Sequence, residues 1–248
     1  MKYNVLHFEE IDSTNVEAVR RSEEGAREGL VLVAERQTAG RGRRGRSWES
    51  PARENLYFSI LLNPRIASEK APMITLVMAY SIANVLRDEL EVQIKWPNDL
   101  VVSGKKICGI LTEMHMDGSN IKDVVIGVGL NVNTMCFPKD LQDKATSIRL
   151  ETGRERNREE LLMKVLSEFE KHYQLFLQVQ DMSFLKEEFN RLLINRNKEV
   201  VVLEPSGEFQ AEAIGINNLG ELLVKKASGD IEAVFAGEVS VRGLYGYV

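Results

Sequence analysis

Four arginines and three glycines occupy residues 40–46 of the run TAGRGRRGRSW (38–48). Glycine at 40, 42 and 45 lets backbone N–H groups approach an anion, while Arg41, Arg43, Arg44 and Arg46 supply planar donors suited to carboxylate and phosphate oxygens. The run lacks the Gly-Lys-Ser/Thr ending of a P-loop and does not follow the Gly-x-Gly-x-x-Gly fingerprint of dinucleotide-binding folds. It is a phosphate site of another kind, or a solvated basic loop of the sort most short arginine-rich tracts form. Ordering such a loop around nothing costs about 1–2 kcal/mol per residue, which charge-assisted hydrogen bonds of about 1.5–3 kcal/mol each can offset once an anion arrives. An empty loop is therefore expected to be mobile and to close on its ligand.

Four other runs have side chains that could serve the same ligand: DSTN (12–15), KWPND (95–99), GKKICGILTE (104–113) and GVGLNVN (127–133). Each has a plain structural reading as well. Thr14 can cap a helix, Asn98 and Asp99 can form a turn that Pro97 stiffens, Lys106 can be a surface charge on a hairpin, and Trp48 can be packing.

The elements that must position these residues follow from periodicity. A short N-terminal strand precedes a helix whose Thr14 and Glu17 stand at capping-box spacing. LVLVAE and NLYFSILLN are strands on either side of the arginine loop. Residues 71–86 read as a buried helix, too short and too interrupted to cross a bilayer. VQIKW and DLVVSGKKICGILTEM read as strands, the second folded into a hairpin at Ser103-Gly104, and DVVIGVGLNVN is an apolar strand whose glycines permit close backbone approach. Residues 158–177 repeat apolar side chains at helical spacing, and residues 183–193 form a further helix. These elements predict one mixed sheet with packed helices over residues 1–194. The texture then changes to short β patterns separated by turns at 205–207, 218–220 and 228–230, predicting a small β-barrel domain over residues 195–248.

Composition narrows the function classes. The 248-residue chain carries a formal net charge of −5, which argues against nucleic-acid binding driven by overall charge. Its N-terminus lacks the apolar core of a signal peptide, and two cysteines and three histidines show no disulfide or metal spacing. A cytoplasmic enzyme without a structural metal is expected, with Cys108 a core residue.

In this order and together, GRGRRGRSW, KWPND, GKKICGILTE, DSTN and GLNVN closely resemble the biotin protein ligase family, over nearly the whole chain. The resemblance implies an α+β, class II synthetase-like catalytic domain with a C-terminal SH3-like barrel. It implies an ATP-dependent ligase that activates biotin as biotinoyl-5′-AMP, with Mg2+, and transfers biotin to one lysine of a biotin carboxyl carrier protein. Carried over by position, Ser13, Thr14, Asn15, Gln37, Gly40, Arg41, Gly42, Arg43, Lys106 and Gly109 line the biotin site. Arg41, Arg43, Trp48, Lys95, Asn98, Lys106 and Asn131 serve ATP or the adenylate. Arg43, Lys106 and Asp99 stand nearest the chemistry, Asp99 as a partner of magnesium or of a lysine. No internal nucleophile is needed, because the acyl-adenylate is itself the activated species.

Some family members add an N-terminal helix-turn-helix and repress genes; here the motifs begin at Asp12, so DNA binding is expected to be absent. No membrane association is expected, and a homodimer, where formed, would use an exposed sheet edge. The alternatives are a lipoate-type ligase, which lacks the GRGRRGR loop, and an RNA-binding module, which the acidic total and the absence of aromatics within the loop disfavour.

Overall fold

The computed structural model describes residues 1–204, 207–236 and 240–243. The first part of the chain runs β1 (Asn4–Ile11), α1 (Thr14–Glu23), β2 (Leu30–Gln37), β3 (Leu56–Leu62), α2 (Pro72–Leu86), β4 (Gln93–Lys95), β5 (Asp99–Val102), β6 (Lys105–Asp117), β7 (Asn120–Leu130), α3 (Ile148–Thr152), α4 (Arg158–Val179) and α5 (Lys186–Leu192). Its strands form one seven-stranded mixed sheet in the order β1-β2-β3-β7-β6-β5-β4. β1 and β2 are parallel across α1, and the remaining pairs are antiparallel.

Side chains of a strand alternate between faces, and the two faces of this sheet are covered differently. Phe58, Ile60 and Leu62 of β3, with Val124, Ile126 and Val128 of β7, belong to the large core that includes α2 and α4. α2 is apolar almost all round and accordingly buried on nearly all sides. α4 turns Leu162, Val165, Phe169, Tyr173 and Phe176 inward, with Phe169 and Tyr173 stacked at 5.3 Å, and Asn157 caps it by accepting from the N–H groups of Glu159 and Glu160. On the opposite face a smaller cluster sets Ala18 of α1 against Leu30, Leu32, Leu61 and Val125. Beyond that cluster the face carries glycines.

The hairpin at Ser103-Gly104 forms as expected, both residues adopting positive φ. Thr14 does not cap α1: Ser13 holds the N-cap position without a side-chain bond, because the Thr14 hydroxyl is engaged with Gln37 and Ser59. α3 escapes sequence periodicity, since five residues show no full amphipathic repeat; its start is fixed by Ser147, which accepts from the Leu150 N–H at 3.1 Å.

The C-terminal strands β8 (Lys198–Glu204), β9 (Gly207–Ile216), β10 (Leu222–Lys225), β11 (Ile231–Val234) and β12 (Ser240–Gly243) form an antiparallel sheet in the order β11-β10-β9-β8-β12. Among the described residues this sheet is open rather than a closed barrel. The turn expected at 205–206 and the chain end at 244–248 lie outside the described residues. Val200, Val202, Ala213 and Leu222 join the same core as α2 and α5, so the small sheet packs onto the first part of the chain through those helices. Trp96, at the cis Trp96-Pro97 turn, donates to the Gly220 carbonyl at 3.0 Å, and Asn190 accepts from the Ile216 N–H at 2.7 Å.

Candidate active site

The glycine-bearing face is the floor of the site. In register, Tyr57, Gly129 and Gly109 form one row across β3, β7 and β6, and Ser59, Gly127 and Leu111 form the next. Gly127 and Gly129 are there because nothing larger fits. A Cβ on Gly127 would overlap Asn15 Oδ1, and one on Gly129 would overlap the Trp48 indole. The sequence thus lowers the floor by one side-chain layer over this area, letting the start of α1 and the end of the arginine loop descend onto the sheet.

One wall is polar. The Thr14 N–H and hydroxyl both reach Gln37 Oε1, at 2.9 and 3.1 Å, and Gln37 Nε2 donates to Ser50 Oγ at 3.1 Å. Ser13, Thr14 and Asn15 are all buried. Burying so many polar atoms is tolerable only because they bond one another.

The arginine loop closes this wall over the floor. It forms a small hairpin in which Trp48 N–H donates to the Gly40 carbonyl at 2.9 Å and Gly42 N–H to the Arg46 carbonyl at 2.7 Å. A single tight turn spans Arg43–Gly45. Arg43 points inward: it donates to Asn98 Oδ1 at 2.9 Å and to the Ala236 carbonyl, in the turn just past β11, at 2.7 Å. Burial lowers its pKa from the ordinary guanidinium value, with Arg44 and Arg46 acting the same way and Asp99 opposing them. Arg44 and Arg46 are exposed.

A second cation faces Arg43 across the cavity. Lys106 Nζ lies 2.7 Å from Asp99 Oδ1 and 5.2 Å from the centre of the Trp48 ring. Its backbone is fixed by the Lys144 carbonyl and the Thr146 N–H, so the ammonium is presented from a held strand. Asn98 Nδ2 donates to Asp99 and to the Ile110 carbonyl, placing its Oδ1 toward Arg43. Two positive groups, braced by one carboxylate and one carboxamide, therefore converge where an anion can be held. Cys108, adjacent in sequence, is fully buried, and that burial raises its thiol pKa, so it remains an inert core residue.

Ser13, Thr14, Asn15, Gln37, Arg41, Gly42, Arg43, Trp48, Asn98, Lys106 and Gly109 line a single cavity. Gly40 and Asp99 do not line it: a Cβ on Gly40 would meet the Trp48 carbonyl and the Ser50 hydroxyl, and Asp99 reaches the cavity only through Lys106. Two further expected residues do not line it. Lys95 sits on edge strand β4 opposite Asp99 in register. Asn131 is buried and donates to the Thr146 carbonyl at 3.0 Å, holding the end of β7 to the segment that leads into α3. Sequence reasoning did not assign Gly127, Gly129 or Leu111 to the lining, although alternation along GVGL places both glycines on one face. With the indole resting on the floor, about 50 Å³ remains open. That is room for one or two waters and far below the roughly 300 Å³ of a small-molecule site. Trp48 Nε1 is buried with no partner among the described residues, so no hydrogen bond of its own holds the indole on the floor.

Residues 7–131 match the model of the biotin/lipoate A/B protein ligase family, and residues 197–242 match the biotin protein ligase C-terminal domain. The chain belongs to the biotin/lipoate A/B protein ligase family. Among its ligase relatives, the bifunctional ligase/repressor BirA of Bacillus subtilis is 33% identical over 247 residues, covering 97% of this chain and 75% of the relative. The biotin–[acetyl-CoA-carboxylase] ligase of Paracoccus denitrificans is 28% identical, covering 94% of this chain and 98% of that one. A solved ligase from Aquifex aeolicus, in complex with biotin and ATP, superposes with a TM-score of 0.85 at 32% identity over 97% of this chain and 99% of its own. The likeness covers nearly the whole chain, the C-terminal sheet included. No helix among the described residues is long and apolar enough to cross a membrane.

Proposed function

We propose that this chain is an ATP-dependent biotin ligase that forms biotinoyl-5′-AMP and transfers the biotinoyl group to a lysine of a carboxylase carrier domain. The observation that carries this reading is the convergence of Arg43 and Lys106 on a cavity whose opposite wall is the polar set Ser13, Thr14, Asn15 and Gln37. A ligand with an anion at one end and a hydrogen-bonding head at the other fits that polarity, as biotin does.

In the first step a biotin carboxylate oxygen attacks the α-phosphorus of ATP, and the bond to the β-phosphate oxygen breaks to release pyrophosphate. Arg43 and Lys106 neutralise the charge that builds on the phosphoryl oxygens, and Asp99 orients Lys106. In the second step the carrier amine attacks the acyl carbon, the amide forms, a proton is lost from nitrogen, and AMP leaves. Arg41, Gly42 and Trp48 cover the intermediate. Lys95, Asn98 and Asn131 serve the nucleotide in this reading, Asn131 after a rearrangement at the end of β7. Magnesium reaches the site with ATP as substrate. A lone Asp99 beside Asn98 fits a cation held chiefly by phosphate oxygens and water, and among the described residues no group of three His, Cys, Asp or Glu side chains could hold a metal by itself.

Residues 1–194 act as the catalytic unit and residues 195–248 as a companion that meets the loop at Arg43. The protein works in the cytoplasm, with ATP and biotin as substrates and a biotin carboxyl carrier protein as acceptor. Incubation with ATP, magnesium and either biotin or lipoate, following pyrophosphate release and label transfer to a carrier domain, tests the reading. Biotin-dependent release and transfer are expected. Lipoate-only release would move the chain to the other branch of its family, and RNA binding at physiological salt with neither acid active would refute it.

A further inference from the structure

The polar wall has a backing that does not itself line the cavity. Asn15 Nδ2 donates to Glu113 Oε2 at 2.7 Å and approaches the Leu111 carbonyl at 3.4 Å, while Asn15 Oδ1 meets Ser59 Oγ at 2.6 Å. Ser59 Oγ lies 2.7 Å from Thr14 Oγ1, and Thr14 in turn meets Gln37. Glu113 follows Gly109 and Leu111 at two-residue spacing on β6, which brings it to the same face of the sheet beside the start of α1. Ser59 is fully buried.

We propose that Glu113 is a positioning residue that sets the donor and acceptor pattern of the biotin-head wall through Asn15 and Ser59. A carboxylate can only accept, so it fixes which end of the Asn15 amide faces it. Asn15 Oδ1 is thereby turned to Ser59, and having no proton it must accept the single hydroxyl proton of Ser59. The short 2.7 Å Ser59–Thr14 contact then takes the Thr14 proton in place of the longer 3.1 Å approach of that hydroxyl to Gln37 Oε1, which keeps the Thr14 N–H at 2.9 Å. Thr14 Oγ1 is left with a lone pair toward the cavity, an acceptor for an N–H of the ligand. Without Glu113 the Asn15 amide can turn over, Ser59 is released to donate to Thr14, and the whole chain of bonds reverses. Gly127 belongs to the same device, since only a bare Cα admits Asn15 Oδ1 at this depth.

The inference rests on the biotin reading and deepens it, and biotin-dependent pyrophosphate exchange by the full chain separates the two. Glu113→Ala should raise the KM for biotin about tenfold or more, the equivalent of one directed hydrogen bond, with kcat and the KM for ATP unchanged. Glu113→Gln, which keeps an acceptor oxygen for Asn15, should recover most of the loss. Ser59→Ala should show the same biotin-only defect, and it decides the matter if Glu113→Ala does not fold. A biotin KM within twofold of the parent in Glu113→Ala, or in Ser59→Ala where that variant decides, overturns the proposal alone. So does a kcat loss that Gln does not rescue. A parent with no biotin-dependent exchange overturns the ligase reading and this inference with it.

Discussion

The two faces of the seven-stranded sheet are built from alternate residues of the same strands and yet serve opposite ends. Phe58, Ile60 and Leu62 point to one side and make, with α2 and α4, a dry core. Tyr57, Ser59 and Leu61 point to the other, where Gly127 and Gly129 on the neighbouring strand leave a trough that α1 and the arginine loop fill with polar and charged groups. The first face gains from every methylene buried, about 25 cal/mol per Å². The second gives up that gain to make a place for a ligand, and buries polar atoms that are stable only while each keeps its partner. Stability and chemistry are thereby separated by the thickness of one strand.

That separation can be broken from either side. The largest expected effect is on the core face: Phe169→Ala should cost about 3–5 kcal/mol of stability, lowering Tm by roughly 10 °C, while the folded fraction retains its affinity for biotin in calorimetry at low temperature. On the other face Gly127→Ala should lower biotin affinity about a hundredfold with a much smaller change in Tm, because the added Cβ strikes Asn15 rather than the core. A loss of stability equal to that of Phe169→Ala would show that the faces are not separable. Next, Arg43→Ala removes charge-assisted bonds worth about 1.5–3 kcal/mol. The adenylate should dissociate at least about tenfold faster in a filter-retention assay, and a variant that holds it as tightly as the parent would refute the role given to Arg43. The smallest effect is Asn157→Ala, which uncaps α4 behind the core; about 1 kcal/mol of stability should be lost with steady-state parameters unchanged.

The arginine loop, the KWPND turn and the GKKICG hairpin were legible because their residue types are chemically unusual at that spacing. Strands such as LVLVAE and the helix in residues 158–177 were legible because their periodicity is strong. Gly127 and Gly129 were noticed as points of close approach, yet the sequence does not say what approaches: Asn15 belongs to α1, near the start of the chain, and has no local tie to β7. Glu113 read only as the end of a motif, because its partner Asn15 lies 98 positions away. Asn131 and Lys95 share a motif with site residues without sharing the cavity: β7 ends at Leu130, where the Asn131 amide turns to the Thr146 carbonyl, and Lys95 lies on the edge strand, two strands away from Gly109.

The sequence by itself determined the chemistry available to this protein: guanidinium groups on a backbone slim enough to close over an anion, a lysine three residues before a glycine, and a polar helix start. It also determined the elements that carry them, because helix and strand periodicity are local properties. Only the tertiary structure decided that α1 would stand on Gly127, that Trp48 would rest on Gly129, and that Arg43 would reach the Ala236 carbonyl just past β11. Those contacts join residues distant along the chain, and the sheet register that brings them together is set by burying one face of every strand at once.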